Sequence, residues 1–400
     1  RQRQMCIRDR GEDLVTERLT QSLAPVESFE RIKPVCEGGA FSIGREAVPV
    51  SEVDESARRL EKLPKEIAYT GDKGIKLWDV KNGKNTMDEF IAQLSDYDLS
   101  CIIRGEGMGS PRVTAGTASA FGGVSENLNG FGIPAGCCSD GPSGMRLDCG
   151  TKAFSLPNGT MIASSFNKKL TSELFTFMGL EMAANKVDCL LGPGMNIHRH
   201  PLNGRNFEYF SEDPLLTGKL AAAQLRGMRR FGVTGTIKHF ACNNQEYNRN
   251  YNNSVVSARA LREIYLRGFE ICIKEAHPKN LMTSYNKING VWSHYNYQLC
   301  TALLREEWGY TGNVMTDWWM RYAASPEFPE LRDNGYRVRA QVDVLMPGAK
   351  TAISKSAPND GSLLATLGKP DGITLGELQR TAKNVLRMTL RTKFAGQYKD

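Results

Sequence analysis

Five segments of the chain share one pattern, in which an apolar run typical of a β-strand ends in charged or amide side chains. These segments are residues 132–146, 187–213, 235–249, 281–290 and 312–319. Helical patterns lie between them, and in residues 257–276 the positions Leu261, Ile264, Tyr265 and Gly268 fall on one helical face. Alternation of strands and helices predicts a mostly parallel sheet, which limits the chain to a few α/β architectures.

The polar residues follow each strand-like run at its carboxyl end only, as a barrel with one active face requires. An open doubly wound sheet is the alternative, and it should show a glycine-rich phosphate-binding turn after its first strand. The run Gly192-Pro193-Gly194 lacks the third glycine of such a turn and leads into a loop. We therefore predict an α/β fold, a (β/α)8 TIM-type barrel over residues 76–350, allowing for an irregular or incomplete set of strands and helices.

The regions on either side of the predicted barrel differ from it in composition. Residues 1–10 have no apolar period and resemble translated adapter or vector sequence, so we interpret them as non-native and exclude them from fold reasoning. Residues 11–75 are polar with scattered prolines, and we interpret them as a linker from a missing upstream domain. Residues 351–400 are predicted to form a C-terminal tail with one helix on the barrel exterior. Because the chain begins with Arg1, we expect it to be a piece of a longer protein.

Two capping boxes mark helices at the two ends of the predicted barrel. Thr86 with Glu89 precedes an apolar run, and Thr374 with Glu377 precedes an amphipathic pattern that continues to Leu390. In such a box each side chain bonds the other residue's backbone amide, which stabilises the first helical turn. We expect helices to begin after Thr86 and after Thr374.

Composition is that of an ordinary globular protein, with 40% hydrophobic and 24% charged residues. No apolar run is long enough to cross a bilayer, so a membrane role is not expected. The formal charge of +7 is modest, and part of it comes from the first ten residues, so it does not predict nucleic-acid binding.

Cysteine and histidine usage indicates neither disulfides nor a metal. Of the ten cysteines, those in apolar surroundings are interpreted as buried free thiols of a reducing compartment, which favours a cytoplasmic location: Cys101, Cys137, Cys138, Cys189, Cys242, Cys272 and Cys300. His198 and His200 flank Arg199, yet no cysteine or carboxylate stands at a usual ligand spacing. We predict no metal and no cofactor.

Asp317 is the most informative single residue, because it follows an apolar strand and is flanked at once by Trp318 and Trp319. An acid at a strand's end lies at the mouth of a parallel barrel, where active sites gather. Aromatic faces beside a carboxylate suit the apolar faces of a pyranose, so we predict a sugar-cleaving nucleophile. The alternative is a helix cap, since Asp after a strand often caps the next helix.

The motifs of these segments resemble glycoside hydrolase family 3 of the β-glucosidase type over about residues 70–347. They are SDGPSGMR, LLGPGMNIHRHPLNGRNFEYFSEDP, TIKHFACNNQEYNR, MTSYNKING, VMTDWW and VDVLMPG. The stretch TGDKGIKLWDVKNGKNTMDEFIAQLSD resembles the subgroup in which an α/β sandwich precedes the barrel. The resemblance implies a retaining enzyme that removes terminal β-D-glucosyl residues through a glycosyl-enzyme intermediate on Asp317.

The resemblance also implies the roles of the other site residues. Asp140 would accept hydrogen bonds from two sugar hydroxyls, because an ionised carboxylate only accepts. The implied donors are Arg205, Lys238, His239 and Arg249, and the implied walls are Met282, Tyr285 and Trp318. In the family the general acid/base is a glutamate of the sandwich domain, so it is expected in an upstream domain and not in this chain. The expected partners are that domain and a small β-glucoside or oligosaccharide.

Several alternatives stay open at this level. A β-xylosidase or mixed-specificity relative differs little around one pyranose, whereas a β-N-acetylglucosaminidase is disfavoured because ACNNQEYNR lacks that branch's histidine loop. Outside this chemistry, the chain could be a non-catalytic sugar-binding barrel, or an aldolase that uses Lys238 as a Schiff-base lysine. The pairs Arg205 with Glu208 and Arg249 with Glu246 could be plain loop ion pairs, and Met282 could be core. Cys242 could be mistaken for a nucleophile, but no base is paired with it.

Overall fold

A six-stranded sheet forms the centre of the computed structural model, which describes residues 23–318, 334–347, 362–370 and 372–392. In chain order the strands are β1 (Glu30–Glu37), β2 (Ala40–Ala47), β3 (Ser119–Gly122), β4 (Ala135–Asp140), β5 (Cys189–Leu191), β6 (Thr234–Phe240), β7 (Asn253–Ser254), β8 (Asn280–Thr283), β9 (Lys287–Ile288), β10 (Val291–Trp292) and β11 (Asn313–Met315). The central sheet has the order β11-β8-β6-β5-β4-β3. Its neighbours pair in parallel except β3 and β4, which are antiparallel.

The sheet is therefore mixed and forms a half-barrel, and the prediction of a mostly parallel α/β sheet is confirmed while β3 was not anticipated. A short 3₁₀ helix (Glu126–Phe131) connects β3 to β4, and β4 turns back to pair antiparallel with β3. Because the other strands run in one direction, their carboxyl ends lie at the same edge.

Residues 103–106 hydrogen-bond to β3, and residues 343–346 hydrogen-bond to β11, the two outer strands of this sheet. On the β3 side, Glu106 N donates to Ala120 O at 2.8 Å, and Ala120 N donates back at 2.9 Å. On the β11 side, Thr316 N donates to Val344 O at 2.9 Å. The two segments also meet, because Leu345 N donates to Ile103 O at 2.9 Å. Both outer strands of the sheet thus have backbone partners.

The helices cover the outside of the sheet. They are α1 (Glu55–Glu61), α2 (Leu77–Lys81), α3 (Met87–Ala92), α4 (Asp96–Ile102), α5 (Gly159–Ser164), α6 (Lys168–Ala184), α7 (Pro214–Arg229), α8 (Ala258–Ala260), α9 (Arg267–Ala276), α10 (Asn334–Arg339), α11 (Ser362–Thr366) and α12 (Leu375–Arg391). Helices α6 and α7 pack closely because Gly227 has no side chain, and a Cβ there would lie 2.3 Å from Ser172 O. No helix in these described ranges has both the length and the apolar character that a membrane span needs.

Both predicted capping boxes are confirmed. Thr86 accepts from Glu89 N at the start of α3, and Thr374 accepts from Glu377 N at the start of α12. Helix α12 buries its apolar face against β3, β11 and α4.

The helix predicted in residues 257–276 is present but interrupted. Between α8 and α9 the residues Leu261–Tyr265 form a π-helical turn. The wider turn shifts the side chains that follow relative to a 3.6-residue period. Leu261 and Gly268 are buried, but Ile264 is 41% exposed, so the prediction that these residues share one helical face was wrong for Ile264.

Within the segment predicted as a linker, the structure contains the β1–β2 hairpin and helix α1. Asp54 caps α1 by accepting from Ala57 N at 3.0 Å. Arg59 on this helix donates to both carboxylate oxygens of Glu377, at 2.7 and 2.6 Å. Helix α1 is thereby attached to the first turn of α12.

Candidate active site

All nine predicted site residues line one cavity of about 310 Å³ at the carboxyl edge of the sheet. They are Asp140, Arg205, Lys238, His239, Arg249, Met282, Tyr285, Asp317 and Trp318. Each comes from the end of a strand or from the loop behind it, which is why segments far apart in sequence meet here. A larger cavity of about 760 Å³ on neighbouring loops contains none of the nine, so the candidate site is the smaller one.

Asp317 lies two residues after β11 and is mostly buried. Its Oδ1 accepts from Trp318 N at 2.7 Å, and its Oδ2 lies 3.6 Å from His239 Nε2. Burial raises the pKa of Asp317, while Arg249, the Trp318 amide and Lys238 act in the opposite direction. A helix beginning directly after Asp317, as the capping alternative requires, would lie outside the described residues.

Charges of alternating sign form one side of the cavity. Lys238 Nζ lies 3.5 Å from Asp140 Oδ1 and 3.9 Å from Glu208 Oε2. The other oxygen of Glu208 accepts from Arg205 Nε. Burial raises the pKa of Asp140, but Lys238 and the Gly141 amide outweigh it, so the pKa of Asp140 lies below its ordinary value. Asp140 is therefore an ionised acceptor in a partly exposed position.

Arg249 also lines the cavity and shares the carboxylate of Glu246 with Arg205. Its Nη1 donates to Glu246 Oε1 at 2.6 Å, and its guanidinium lies 4.0 Å from the centre of the Tyr285 ring. The Tyr285 hydroxyl donates to the backbone carbonyl of Trp318. Both ion pairs offered as the plain alternative are present, Arg205 with Glu208 and Arg249 with Glu246, and both arginines also line the cavity.

His239 is held through both its backbone and its ring. Its N donates to Asn196 Oδ1 at 2.9 Å, and Asn196 Nδ2 donates to its carbonyl at 2.9 Å. Its ring Nδ1 lies 3.0 Å from the Tyr209 hydroxyl. Burial, reinforced by Arg205 and Lys238, holds the pKa of His239 well below its ordinary value, so the ring is neutral at neutral pH.

The apolar part of the wall comes from Met282, Tyr285 and Trp318, together with Met108 and Leu191. Met282 lies within β8 and is only 2% exposed, so it belongs to the core and also lines the cavity. An apolar wall opposite charged donors matches a pyranose ring, whose faces are apolar and whose rim carries hydroxyls.

The sequence did not indicate which residues support His239 and Lys238 through buried contacts. Asn196 and Tyr209 are buried and contact His239, but His239 lies on β6, far from both in sequence, and no local spacing signals such a contact. Glu208, three residues after Arg205, was noted only as a loop ion-pair partner, and its contact with Lys238 has no sequence signal. Arg146 and Asp148, which also line the cavity, were not singled out.

Neither metal nor thiol chemistry is indicated in the part of the chain that the structure describes. Its histidines, cysteines and carboxylates form no cluster of three suited to a metal ion. Cys242 is buried, and burial raises the pKa of its thiol, which keeps the sulfur protonated and unreactive.

Comparison with known proteins gives a consistent relationship. The family model described as the glycosyl hydrolase family 3 N terminal domain matches residues 69–363. A β-glucosidase of Ruminococcus albus is 58% identical over 379 residues, which are 94% of this chain and 39% of that protein. The crystal structure of a β-glucosidase from Paenibacillus barengoltzii superposes with a TM-score of 0.87 and 49% identity, over 94% of this chain and 41% of that one.

A more distant solved structure holds a ligand. β-Glucosidase 3B from Thermotoga neapolitana, in complex with α-D-glucose, has a TM-score of 0.68 and 34% identity, over 78% of this chain and 44% of that one. The chain thus spans about two fifths of the length of the relatives it matches. The family model covers well over half of these residues, and the chain belongs to glycoside hydrolase family 3.

Proposed function

We propose that the chain carries the sugar-binding and nucleophilic part of a retaining β-glucosidase, with Asp317 as the nucleophile. The observation that carries the proposal is the setting of Asp317, a buried carboxylate on a cavity with four cationic side chains, those of Arg146, Arg205, Lys238 and Arg249. A volume of about 310 Å³ is at the small end of ligand pockets and suits a single pyranose. The names of the relatives support glucose as that sugar.

The two oxygens of Asp317 have different surroundings, which supports a division of work between them. Oδ1 accepts from the Trp318 amide, which fixes the carboxylate plane. Oδ2 faces the cavity beside His239, and we propose that it attacks the anomeric carbon. The leaving oxygen takes a proton from a general acid, and water then hydrolyses the glycosyl-enzyme ester.

The general acid is proposed to come from a part of the longer protein outside these residues. Asp140 is unsuited to the role because its pKa is lowered, so it carries no proton to donate at neutral pH. Asp148, the other carboxylate of the cavity wall, is paired with Arg146 Nε at 2.9 Å. The family resemblance assigns the acid to an upstream sandwich domain, and the relatives are more than twice as long as the matched region.

The remaining cavity residues divide into hydroxyl-binding groups and walls. Asp140 is proposed to accept from sugar hydroxyls, and the proposed donors are Arg205, Lys238, His239 and Arg249. Charged partners make such hydrogen bonds about twice as strong as neutral ones. Met282, Tyr285 and Trp318 are proposed to pack on the apolar faces of the ring.

The scaffold is proposed to be a closed (β/α)8-type barrel over residues 76–350 with one antiparallel strand. Residues 103–106 and 343–346 supply the support, since they bond to the two outer strands and to each other. Closure of the sheet would aim all strand ends at one opening, where the cavity lies. Residues 11–75 and 351–400 are then the flanking linker and tail.

An aldolase that uses Lys238 is the alternative from another class. A Schiff-base lysine needs a free amine that can attack a carbonyl. Lys238 Nζ instead lies between two carboxylates, those of Asp140 and Glu208. The geometry therefore favours a hydroxyl donor at this position.

Covalent trapping tests the proposal on the 400-residue chain itself. A 2-deoxy-2-fluoro-β-glucoside with a dinitrophenyl leaving group needs no proton donor, so it can react without the general acid. We expect one fluoroglucosyl unit on the peptide that contains Asp317, and none in the Asp317→Asn variant. Absence of a label after long incubation, or a label on another residue, would sink the proposal. Borohydride reduction with a ketone that labels Lys238 would favour the aldolase.

A further inference from the structure

The ring of His239 rests on a buried chain of hydrogen bonds that ends at a carboxylate. The Tyr209 hydroxyl lies 3.0 Å from His239 Nδ1 and accepts from Asn243 Nδ2 at 2.9 Å. Asn243 Nδ2 also donates to Glu246 Oε2, at 3.3 Å. Tyr209 is fully buried and Asn243 and His239 are nearly so, so each polar atom depends on the others.

The direction of this chain follows from what each group can donate or accept. Glu246 pairs with the guanidinium groups of Arg205 and Arg249, so it is a carboxylate, which only accepts. The Asn243 amide must therefore turn its nitrogen toward Glu246, and the same nitrogen meets the Tyr209 hydroxyl. The hydroxyl oxygen accepts there, so its own hydrogen points to the remaining partner, His239 Nδ1.

A hydroxyl that donates to Nδ1 requires that this nitrogen carry no proton. In a neutral imidazole one nitrogen donates and the other accepts, so the proton is on Nε2. The lowered pKa of His239 is consistent with a neutral ring. Asn243 Oδ1 is buried with no hydrogen-bond partner among the described residues. This is expected, because Glu246 fixes the Asn243 amide with its nitrogen toward the carboxylate and its oxygen away from it.

We propose that Tyr209 and Asn243 are positioning residues that hold His239 with its proton on Nε2, so that His239 and Arg205 donate together to one substrate oxygen. This inference rests on the proposed function for the identity of that oxygen, a sugar hydroxyl. Arg205 Nη2 lies 3.2 Å from His239 Nε2, and both side chains line the cavity. With hydrogens on both nitrogens the two groups cannot bond each other.

The consequence is a two-donor site beside the proposed nucleophile. An acceptor oxygen placed between Arg205 Nη2 and His239 Nε2 satisfies both hydrogens at once. Asp317 Oδ2 lies 3.6 Å from Nε2, so this donor pair is beside the proposed nucleophile. The opposite tautomer would let Arg205 donate to Nε2 and would leave the ring without a donor for substrate.

The tautomer is read directly by long-range ¹H–¹⁵N correlation on the chain labelled with ¹⁵N-histidine, with the His239 signals identified by their loss in His239→Gln. We expect a protonated Nε2 and an unprotonated Nδ1 at pH 7. In Tyr209→Phe the Nδ1 signal should move toward its protonated position, because the donor to that nitrogen is gone. A wild-type proton on Nδ1, or an unchanged spectrum in Tyr209→Phe, would overturn the proposal. Should Tyr209→Phe not fold, Asn243→Ala is expected to give the same direction of change, since it frees the Tyr209 hydroxyl to turn.

Tyr310→Phe is the matched control. Its hydroxyl is also buried and donates to the backbone oxygen of Asn313 at 2.9 Å, but Tyr310 does not line the cavity. The loss of one buried hydrogen bond is thus common to both variants, and only Tyr209→Phe should move the His239 signals.

Kinetics on a series of single-deoxy aryl glucosides links the tautomer to recognition. For one hydroxyl position, deletion should cost wild type about tenfold more in kcat/KM than it costs Tyr209→Phe, as expected for one hydrogen bond. Equal losses at every position would contradict the shared-oxygen assignment. If the expected tautomer is seen but dinitrophenyl glucosides, which need no proton donor, release no dinitrophenolate, the proposed function fails while the positioning of His239 stands.

Discussion

Arg249 stacks its guanidinium 4.0 Å from the centre of the Tyr285 ring while its Nη1 donates to Glu246 at 2.6 Å. The two contacts fix the cation on both sides, by attraction to the ring face and by an ion pair. Among the charged groups that lower the pKa of Asp317, Arg249 has the largest effect. Its position therefore controls the ionisation of the proposed nucleophile.

Removing the positive charge of Arg249 should shift the acid limb of the pH profile of kcat/KM. The nucleophile must be ionised, so kcat/KM falls as pH drops through the raised pKa of Asp317. Arg249→Gln removes a group that lowers this pKa, so the limb should move to higher pH, with kcat/KM at pH 7 down by about tenfold or more. Arg249→Lys keeps a charge and should move the limb less. The measurement is a pH profile with a dinitrophenyl glucoside, with Arg267→Gln, whose guanidinium pairs with Glu270, as control. A limb that stays in place in Arg249→Gln would contradict this role.

Tyr285→Phe should reduce activity with little effect on folding. Burial raises the pKa of Tyr285, so its hydroxyl stays protonated and donates to the Trp318 carbonyl. Without that bond the backbone next to Asp317 loses a restraint, and we expect kcat to fall by about tenfold, with the free energy of unfolding lowered by about 1 kcal/mol. Steady-state kinetics and urea unfolding measure the two effects, with the exposed Tyr251→Phe as control. A large loss of stability with unchanged kcat would show that the hydroxyl serves folding alone.

Asn196→Ala should destabilise the fold through the backbone of His239. The side chain satisfies both the N–H and the carbonyl of that residue in a buried position. Leaving two buried backbone groups without partners costs about 2–4 kcal/mol in the free energy of unfolding. Asn185→Ala removes one amide bond to Glu181 O at a helix end and should cost about 1 kcal/mol or less. Equal values for the two variants in urea unfolding would refute the role given to Asn196.

Glu377 should make stability depend on acid pH. Burial raises the pKa of Glu377, but the hydrogen bonds from Arg59 and from the Thr374 amide lower it by more. The pKa in the folded state therefore lies below the ordinary 4.5. A lowered folded pKa stabilises the protein above pH 4.5, and this stabilisation is lost as pH falls through the folded value. Glu377→Gln should lower the free energy of unfolding at pH 7 by about 3 kcal/mol. The difference from wild type should shrink in acid.

The matched control for Glu377 is an exposed ion pair. Arg259 and Glu263 face solvent on one helical turn, so Glu263→Gln should change stability by less than about 0.5 kcal/mol at any pH. A Glu377→Gln difference that stays constant between pH 7 and pH 3 would exclude ionisation of Glu377 as its cause.

Much of the fold could be predicted because its signals are local. The capping boxes at Thr86 and Thr374 depend on residues three apart, and the strand ends that gather at the cavity depend on short apolar runs. The antiparallel β3 could not, because its pairing with β4 is set by tertiary contacts. The β1–β2 hairpin has a local signal in the turn Gly38-Gly39, which the interpretation of this region as a linker missed. Ile264 was misplaced because a π-turn breaks the period on which the prediction rested.

The residues of the candidate site also fall into those that could be predicted from local motifs and those that could not. Residues that face the cavity lie in recognisable motifs, so Asp317, Lys238 and Arg205 could be named in advance. Asn196 and Tyr209 act through contacts with His239, which is 43 and 30 positions away from them in sequence. In the sequence, such buried amide and hydroxyl side chains cannot be told from ordinary polar residues of a core. Only coordinates reveal which partner such groups meet.

The hydrogen bond from Leu345 N to Ile103 O joins two segments made at very different times during synthesis. At typical translation rates, residue 345 leaves the ribosome roughly 10–50 s after residue 103. During that interval residues 103–106 lack the strand that later pairs with them, and β11 also lacks it once it has been made. The nascent chain then carries open strand edges, which are sites for chaperone binding and for aggregation.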